Sequence, residues 1–229
     1  MNIALIVAAG VASRMGNLEK PKQFLLIKEK PLFLYSVLAF ENNPNIDAII
    51  IVTSEQYIKE VQDYCSSYQV SKVKGVVVGG KTRQESVYHG LIKAKELSLS
   101  DDVVLIHDAA RPLVSQDVIN NSVEMAQKFQ AVTTVINASD TIIRSTNGET
   151  IDTVPKRQEL YQSQTPQSFK LSLILAAHEN AINNHLDDAT DDAQLVLALG
   201  HEVHLVKGDK QSFKITTADD LTVLESLLK

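Results

Sequence analysis

Several short segments in the first half of the chain are apolar at every position and rich in β-branched residues. These segments are Ile3–Val7, Ala48–Val52, Val76–Val78 and Val103–Ile106. A strand with one face in water alternates apolar and polar residues, whereas a strand without alternation is buried on both faces, as in a parallel sheet covered by helices. The chain is therefore expected to form a parallel sheet enclosed between two helical layers.

Amphipathic segments of helical length separate and follow these runs. The predicted helices are Leu32–Phe40, Gln56–Tyr68, Ser86–Leu97, Gln116–Phe129, Lys170–Asn184 and Ala218–Leu228, with one more short strand near Val203–Val206. The alternation of strand and helix predicts an α/β fold with a doubly wound, mostly parallel sheet, Rossmann-like in its winding. A length of 229 residues suits one domain, residues 1–229.

The segment 137–160 departs from this pattern because its composition turns polar. Within it, Thr146-Asn147-Gly148-Glu149 separates two runs of β-prone residues. An Asn-Gly pair in this setting is a strong hairpin signal. We therefore predict a β-hairpin arm over 137–160 that protrudes from the sheet, either as a lid or as a contact with a second copy of the chain.

Composition excludes several classes of function. The net charge of −6 argues against a nucleic-acid partner, which normally meets a basic face. The single cysteine, Cys65, excludes an internal disulfide and a multi-cysteine metal site. No segment approaches the ~18 apolar residues of a membrane span, and the apolar N-terminus lacks the preceding basic region of a signal peptide. We expect a cytoplasmic protein that contacts neither nucleic acid nor membrane.

Ligands of doubly wound sheets bind beyond the carboxyl ends of the strands, and one loop there is rich in small residues. The loop Ala8–Met15 follows the first strand, and Pro21-Lys22-Gln23 comes soon after it. Small residues let backbone N–H groups approach a polyphosphate, and Arg14 and Lys22 would supply fixed cations. The spacing matches neither the Walker loop nor the dinucleotide fingerprint.

A second cluster, His107–Pro112, follows the fourth apolar run. Asp108 would end a buried strand at the ligand edge, where a carboxylate can orient metal-bound substrates. Arg111 would grip a phosphate or an aspartate, the alternative being a structural Asp–Arg pair that closes a turn. A histidine at a strand end is usually structural, so His107 is not assigned to the site. The acidic stretch 187–192 lacks the spacing of a calcium loop and is expected to lead into a capped helix.

These motifs, together with others further along the chain, carry a resemblance. The sequence resembles the polyol-phosphate cytidylyltransferases, above all those that act on 2-C-methyl-D-erythritol 4-phosphate, with the ribitol-5-phosphate enzymes as close kin. The likeness covers nearly the whole chain. It rests on Ala8–Met15, Pro21-Lys22-Gln23, Gly79-Gly80 with Arg83 and Ser86, His107–Pro112, Asp140-Thr141, Arg157, Gln164–Gln167, Thr190–Ala193 and Lys214-Ile215-Thr216.

The resemblance implies a role for each matching residue on the nucleotide side. Nucleotide-binding residues would be Ala8, Ala9, Gly10, Gly79, Gly80 and Ser86, while Arg14 and Lys22 would hold the triphosphate and stabilise the transition state. A plain turn is the alternative for Gly79-Gly80, and the N-cap of the following helix is the alternative for Ser86.

The resemblance also implies residues for the acceptor phosphate. These are Thr141, Arg157, Thr190 and Lys214, with Asp108 and Arg111 orienting the acceptor and the metal. An attacking phosphate is already anionic, so it needs positioning cations rather than a general base. The alternative for Lys214 is a solvated charge on a strand between Phe213 and Ile215.

The implied reaction transfers CMP from CTP to a polyol phosphate and releases pyrophosphate. Mg²⁺, or another divalent cation, would be bound mainly through the CTP phosphates with no dedicated protein cage. A homodimer would form through the 137–160 arm, with Thr141 and Arg157 serving the partner's site.

Different features of the sequence favour different polyol phosphates as the acceptor. The five residues between Met15 and Pro21 and the run Pro155–Gln162 favour ribitol 5-phosphate. The Ala8-Ala9-Gly10 loop, Ala110 and Thr190–Ala193 favour 2-C-methyl-D-erythritol 4-phosphate, which we prefer. Two other readings are a non-catalytic nucleotide-binding module and a sugar-1-phosphate nucleotidyltransferase. A non-catalytic module would be expected to have lost Arg14, Lys22 or Lys214, and all three are present. A sugar-1-phosphate nucleotidyltransferase would carry a G-x-G-T-R-type loop, which this sequence lacks.

Overall fold

The computed structural model of the chain describes residues 1–10, 20–98, 101–186 and 189–228. Its strands are β1 Asn2–Val7, β2 Leu26–Ile27, β3 Lys30–Pro31, β4 Ala48–Thr53, β5 Val73–Val78, β6 Val103–Asp108, β7 Ala131–Asn137, β8 Tyr161–Lys170 and β9 His204–Lys207. Its α-helices are α1 Leu32–Glu41, α2 Ile58–Ser67, α3 Arg83–Leu97, α4 Gln116–Phe129, α5 Leu171–Asn183, α6 Asp192–Ala198 and α7 Ala218–Leu227.

The main sheet has the strand order β5-β4-β1-β6-β8-β7-β9. Strands β5, β4, β1 and β6 run parallel, and β8 is antiparallel to both of its neighbours, β6 and β7. The chain winds outward from β1 through β4 to β5 and then returns to place β6 on the other side of β1. The prediction of a doubly wound, mostly parallel sheet is confirmed, and its switch point lies between β1 and β6, where such sheets bind ligands.

The apolar runs in β1, β4 and β6 are buried on both faces, as their lack of alternation predicts. The same expectation is wrong for Val76–Val78, because β5 is an edge strand of the sheet and Val78 is 44% exposed. Ala4 and Ile6 of β1 pack into a cluster with Phe33 of α1 on one face. Ile3 and Leu5 pack into a second cluster, with Val87 and Leu91 of α3, on the other face. Each fully buried Ile, Leu, Val or Phe side chain contributes about 1.5–3 kcal/mol of transfer free energy. In the described residues, no helix has both the length and the apolar character needed to cross a membrane.

The six predicted helices are all present, and apart from the start of α3 their ends lie within two residues of the predicted ones. Helix α4 has the predicted bounds, and a 3-10 turn over Glu55–Tyr57 precedes α2. Helix α3 begins three residues earlier than predicted, because the side chain of Thr82 caps it by accepting the N–H of Glu85 at 3.1 Å. The interpretation of Ser86 as the N-cap is therefore wrong.

Strand β8 was not predicted, because its sequence is polar. Gln164, Thr165, Gln167 and Ser168 are all buried. Gln167 shows how such a residue is accommodated: its side-chain amide donates to the Thr133 hydroxyl at 2.9 Å and its carbonyl accepts the N–H of Asp192 at 2.9 Å. Buried polar groups with partners cost little, so the apolar signal of a central strand is absent here.

The arm between β7 and β8 folds back at Asn147-Gly148, as the predicted β-hairpin does, but its two sides form a single bridge instead of two paired strands. One isolated antiparallel bridge joins Arg144 and Thr153. The tip is held instead by Asn147, whose side-chain carbonyl accepts the N–H groups of Glu149 and Thr150. A two-stranded ribbon without further cover is marginal in water, which accounts for the short ladder.

Candidate active site

A cavity of about 470 Å³ lies at the switch point of the sheet, beyond the carboxyl ends of β1 and β6. It is walled by the loop after β1, the segment that starts α3, the end of β6 and two segments distant in sequence. Its lining residues are Val7, Ala8, Ala9, Gly10, Lys22, Gln23, Ser54, Gly80, Lys81, Thr82, Arg83, Ser86, Asp108, Ala109, Ala110, Lys214 and Thr216.

A buried glutamine fixes the start of the small-residue loop. The side-chain amide of Gln23 donates to the carbonyl oxygens of Ala8 at 2.6 Å and of Gly10 at 2.8 Å. The N–H of Ala8 donates to the carbonyl of Val52 at 2.7 Å. The start of the loop is thus held by hydrogen bonds from backbone and amide groups, none of which titrates.

The two glycines before α3 are required by close packing. A Cβ at Gly79 would lie 2.5 Å from Cβ of Ala9, and one at Gly80 would lie 2.2 Å from Cγ of Glu85. The Gly80 N–H donates to Oγ of Ser86 at 3.0 Å, and that hydroxyl donates to the Thr82 carbonyl at 2.8 Å. Gly79 therefore lets this wall pack against the first loop, and Gly80 leaves room for the side chain of Glu85.

Asp108 ends β6 and holds two cations at the cavity wall. Its Oδ2 accepts from Nζ of Lys214 at 2.6 Å, and its Oδ1 accepts from Nε of Arg83 at 3.3 Å. Burial by itself would raise the pKa of Asp108, but the charges of Arg83 and Lys214 outweigh it and hold that pKa well below its usual range. Asp108 is therefore an ionised anchor for cations rather than a base for proton transfer.

Arg83 belongs to the cavity wall, although sequence reasoning left it out of the site. Its Nη1 donates to Oδ2 of Asp192 at 2.7 Å, so the guanidinium bridges two carboxylates. Burial would lower the pKa of Arg83, but Asp192 and Asp108 raise it above the ordinary value. The sequence feature that could have pointed to Arg83 is its position in the first turn of a helix that follows two glycines.

Lys22 and Lys214 both line the cavity, as the sequence predicted for a phosphate site. Lys22 lies in a 3-10 turn, Lys22–Phe24, and its Nζ donates to the carbonyl of Ile215 at 2.6 Å. Lys214 does not lie on a strand, and its ion pair with Asp108 contradicts the alternative of a solvated charge.

Arg111 is turned away from the cavity lining. Its guanidinium donates to the carbonyl oxygens of Ser212 at 2.8 Å and Ser163 at 3.2 Å. The side-chain hydrogen bonds of Arg111 therefore go to backbone carbonyls rather than to the carboxylate of Asp108.

His107 is a buried structural residue. Burial lowers the pKa of His107 to about 4. Its Nε2 lies 3.1 Å from the Arg111 carbonyl and its Nδ1 lies 3.0 Å from Oγ1 of Thr165, as for a neutral ring with the proton on Nε2.

Several expected acceptor residues lie away from the cavity lining. Thr141 is exposed on the arm, and Arg157 donates to the carbonyl of Ser139 at 3.3 Å. The backbone N–H and the hydroxyl of Thr190 donate to Oε1 of Gln194 at 3.1 and 3.4 Å, at the start of α6. Arg14 lies outside the described residues.

Of the acidic stretch 187–192, residues 187 and 188 lie outside the described residues, and Asp191-Asp192 leads into a capped helix, as the sequence predicted. The side chain of Asp191 caps α6 by accepting the N–H of Gln194 at 3.0 Å. Within the part of the chain that the structure describes, no group of three or more His, Cys, Asp or Glu side chains could hold a metal ion.

Comparison with known proteins decides the family. The family model described as "IspD: 2-C-methyl-D-erythritol 4-phosphate cytidylyltransferase" matches residues 2–229. The chain belongs to this cytidylyltransferase family. The resemblance that the motifs predicted is thereby confirmed, together with the enzyme class, a nucleotidyltransferase, and the fold of the family.

Relatives within the cytidylyltransferase family carry two different names. A 2-C-methyl-D-erythritol 4-phosphate cytidylyltransferase of Clostridium botulinum (strain Loch Maree / Type A3) is 42% identical, over 100% of this chain and 97% of its own. A ribitol-5-phosphate cytidylyltransferase of Streptococcus agalactiae serotype V is 35% identical, over 99% of this chain and 95% of its own. The solved 2-C-methyl-D-erythritol 4-phosphate cytidylyltransferase of Thermus thermophilus is 33% identical with a TM-score of 0.79, covering 99% of this chain and 98% of its own.

Proposed function

We propose that this cytidylyltransferase transfers CMP from CTP to 2-C-methyl-D-erythritol 4-phosphate and releases pyrophosphate. The observation that carries the proposal is the cation-lined cavity at the sheet's switch point, in a chain that the family model matches almost from end to end. Lys22, Arg83 and Lys214 bring cations to a cavity in whose described lining Asp108 is the one acidic side chain. Such a cavity suits the phosphates of two anionic substrates on a chain of net charge −6.

The chemistry follows from the charges. An oxygen of the acceptor phosphate forms a bond to the α-phosphorus of CTP, and the bond from that phosphorus to the β-phosphate oxygen breaks with its electron pair leaving on pyrophosphate. The nucleophile carries no proton that must be removed, so the site needs alignment and charge stabilisation rather than a base. Lys22, with Arg14 from the loop after β1, would stabilise the charge on the phosphorus oxygens.

The nucleotide would lie between the first loop and the start of α3. Ala8, Ala9 and Gly10 form one wall, and Gly80 and Ser86 form the other, with Gly79 packed directly behind. Small residues on both walls leave backbone groups in reach of the base and ribose. This arrangement supports the nucleotide-binding role proposed for these positions.

The residues present fit a divalent cation carried by the nucleotide. Mg²⁺ commonly binds through one or two carboxylates together with substrate phosphates. Among the described lining residues Asp108 supplies the one carboxylate, and both of its oxygens already accept from cations. Bound on the CTP phosphates, Mg²⁺ would neutralise part of their charge and orient the α-phosphorus.

The acceptor phosphate would be held by Lys214 and Thr190 of one subunit and by Thr141 and Arg157 of a partner. The arm that carries the last two exposes Ile142, Ile143, Ile151 and Val154, each between 42% and 60% accessible. Apolar side chains on a marginal ribbon favour cover by a second copy. We therefore propose a homodimer formed through the arm, with Arg111 supporting the base of the arm through the Ser163 carbonyl.

Ribitol 5-phosphate is the second candidate acceptor, favoured by the 35% identical relative of that name. The two candidates are distinguished by incubating the protein with CTP and Mg²⁺ and measuring pyrophosphate release with each polyol phosphate. Because CTP is a cytoplasmic nucleotide, we also propose that the reaction takes place in the cytoplasm.

A further inference from the structure

A chain of alternating charges runs from the cavity into the protein interior. Lys214 contacts Asp108, Asp108 contacts Arg83, and Arg83 contacts Asp192. The far oxygen of Asp192, Oδ1, lies 3.2 Å from Nε2 of the fully buried His178. Asp192 is itself only 1% exposed and lies outside the cavity lining.

The distances show how Arg83 is shared between its two carboxylates. Its hydrogen bond to Asp192 is 2.7 Å long, whereas its hydrogen bond to Asp108 is 3.3 Å long. An arginine facing a single carboxylate tends to bind both oxygens with its planar fork. Because Asp192 draws the guanidinium away, Oδ2 of Asp108 is left to Lys214, which binds it at 2.6 Å.

Asp192 is well placed for this role because its backbone is fixed. Its N–H donates to Oε1 of Gln167 at 2.9 Å, and that oxygen also accepts the N–H of Ala193 at 3.3 Å. The first turn of α6 is thereby anchored to β8. Thr190 lies two residues before Asp192, so the same anchor sets the place of a proposed acceptor-binding residue.

We propose that Asp192 is a positioning residue for the transfer reaction, acting through Arg83 to keep Lys214 on Asp108 at the cavity wall. This inference rests on the proposed function for its kinetic consequence, but its structural consequence can be measured without substrate. Loss of the Asp192 charge lets Arg83 take both oxygens of Asp108 and displaces the Lys214 ammonium. The ammonium group of Lys214 is then no longer positioned to bind the acceptor phosphate, although the residue itself is unchanged.

The test compares wild type with Asp192→Asn, Arg83→Lys and the matched control Asp191→Asn. Asp191 is the N-cap of the same helix, and asparagine caps as well as aspartate does, so this control removes a neighbouring charge without touching Arg83. Arg83→Lys keeps the charge but has no planar fork with which to bridge two carboxylates. Arg83 is at the partly exposed start of α3, so this variant remains informative if Asp192→Asn fails to fold.

The first readout is the rate at which acetic anhydride acetylates Lys214, measured by mass spectrometry of the peptide that contains it. We expect a severalfold faster rate in Asp192→Asn than in wild type. We expect no increase in Asp191→Asn, or in Arg83→Lys, because a lysine has no planar fork with which to take both oxygens of Asp108. An unchanged rate in Asp192→Asn, or a faster rate in Arg83→Lys, would overturn the proposal, whatever the enzyme turns over.

The second readout is kcat, measured with CTP and the acceptor that wild type uses. We expect kcat to fall on the order of 10-fold in Asp192→Asn, and we expect the double variant Asp192→Asn/Arg83→Lys to be no slower than Arg83→Lys alone. A merely structural role for Asp192 predicts independent, multiplicative losses, which would overturn the proposal. Wild type without turnover would count against the proposed function alone, because the acetylation result stands by itself.

Discussion

The side-chain ammonium of Lys22 donates a 2.6 Å hydrogen bond to the backbone carbonyl of Ile215, 193 residues further along the chain. This contact ties the turn after the phosphate loop to the segment that carries Lys214. The N–H of Ile215 donates to the Ala110 carbonyl at 2.8 Å, so the same residue also joins that segment to the end of β6. Parts of the site that are distant in sequence are held together by backbone groups of one residue.

Replacing Lys22 with alanine is expected to lower kcat by on the order of 10²-fold or more, as for other lost charge-stabilising donors. The fold should survive, because Lys22 is on the cavity wall rather than in the apolar core. Steady-state kinetics and a urea unfolding curve check the two statements. The matched control is Lys20→Ala, whose exposed ion pair with Glu60 should matter little. Near-normal kcat in Lys22→Ala would refute the phosphate-site assignment.

The nucleotide site should prefer CTP over ATP and GTP by at least ~10²-fold in kcat/KM, which corresponds to about 2.7 kcal/mol of differential binding. Cytosine offers an amino donor and a carbonyl acceptor that backbone groups near Ala8 and Gly80 can read, and closely packed walls should reject purines on size. Competition between nucleotides at fixed acceptor concentration measures the ratio. Equal turnover with ATP would contradict the proposal that these cavity walls select cytosine.

His107 should make stability depend on pH in a definite window. Its folded pKa of about 4 lies below the ordinary value of 6.5, so the unfolded state binds the proton first. Stability is therefore fully present above pH 6.5 and falls as the pH drops towards 4, by roughly 2–3 kcal/mol at pH 4.5.

The measurement for His107 is the free energy of unfolding in urea at pH 7.5, 5.5 and 4.5. His107→Gln should lose most of this pH dependence, although it should be less stable at pH 7.5. His201→Gln, which changes an exposed histidine, should keep the wild-type slope. An identical slope in His107→Gln would show that the ring is not buried neutral.

The shared-site proposal predicts complementation between two inactive variants. In a mixture of Arg157→Ala and Lys22→Ala proteins, each hybrid dimer has one site with both residues intact. Random subunit exchange should restore up to roughly a quarter of wild-type activity, because half of the dimers are then hybrids. If the arm were a lid over its own site, the mixture would stay inactive even after exchange. Sedimentation as a monomer at micromolar concentration would also contradict the proposal.

The parts of the fold that sequence could predict are those with an apolar signal. Strand β1 could be predicted because its buried residues form a continuous apolar run, and helix α4 because its buried residues recur at helical spacing. Strand β8 carries no such signal, since Gln164, Thr165 and Gln167 are buried and their side chains make hydrogen bonds. The arm shows the opposite error, because an Asn-Gly turn fixes the tip but does not supply the cover that a ladder needs.

Lys22 and Asp108 could be assigned to the candidate site from sequence, because each lies in a short motif next to the end of a predicted strand. Arg83 was missed because its meaning depends on Asp192, 109 residues away, and no local spacing reports such a pair. The geometry of Arg111 could not be read either, because its guanidinium binds backbone carbonyls, which every sequence contains. Long-range partners decide what a charged residue does.

The reaction that we propose for this chain joins CMP to a polyol phosphate. The most direct measurement is pyrophosphate release from CTP and Mg²⁺ by the purified protein, with 2-C-methyl-D-erythritol 4-phosphate and ribitol 5-phosphate in parallel reactions and the nucleotide product identified by mass. We expect acceptor-dependent release with the first compound, at a kcat/KM at least ~10-fold above that of the second, and a product whose mass is that of the CMP-joined acceptor. Turnover with ribitol 5-phosphate alone would contradict the proposed acceptor, and no release with either compound would contradict the proposed reaction.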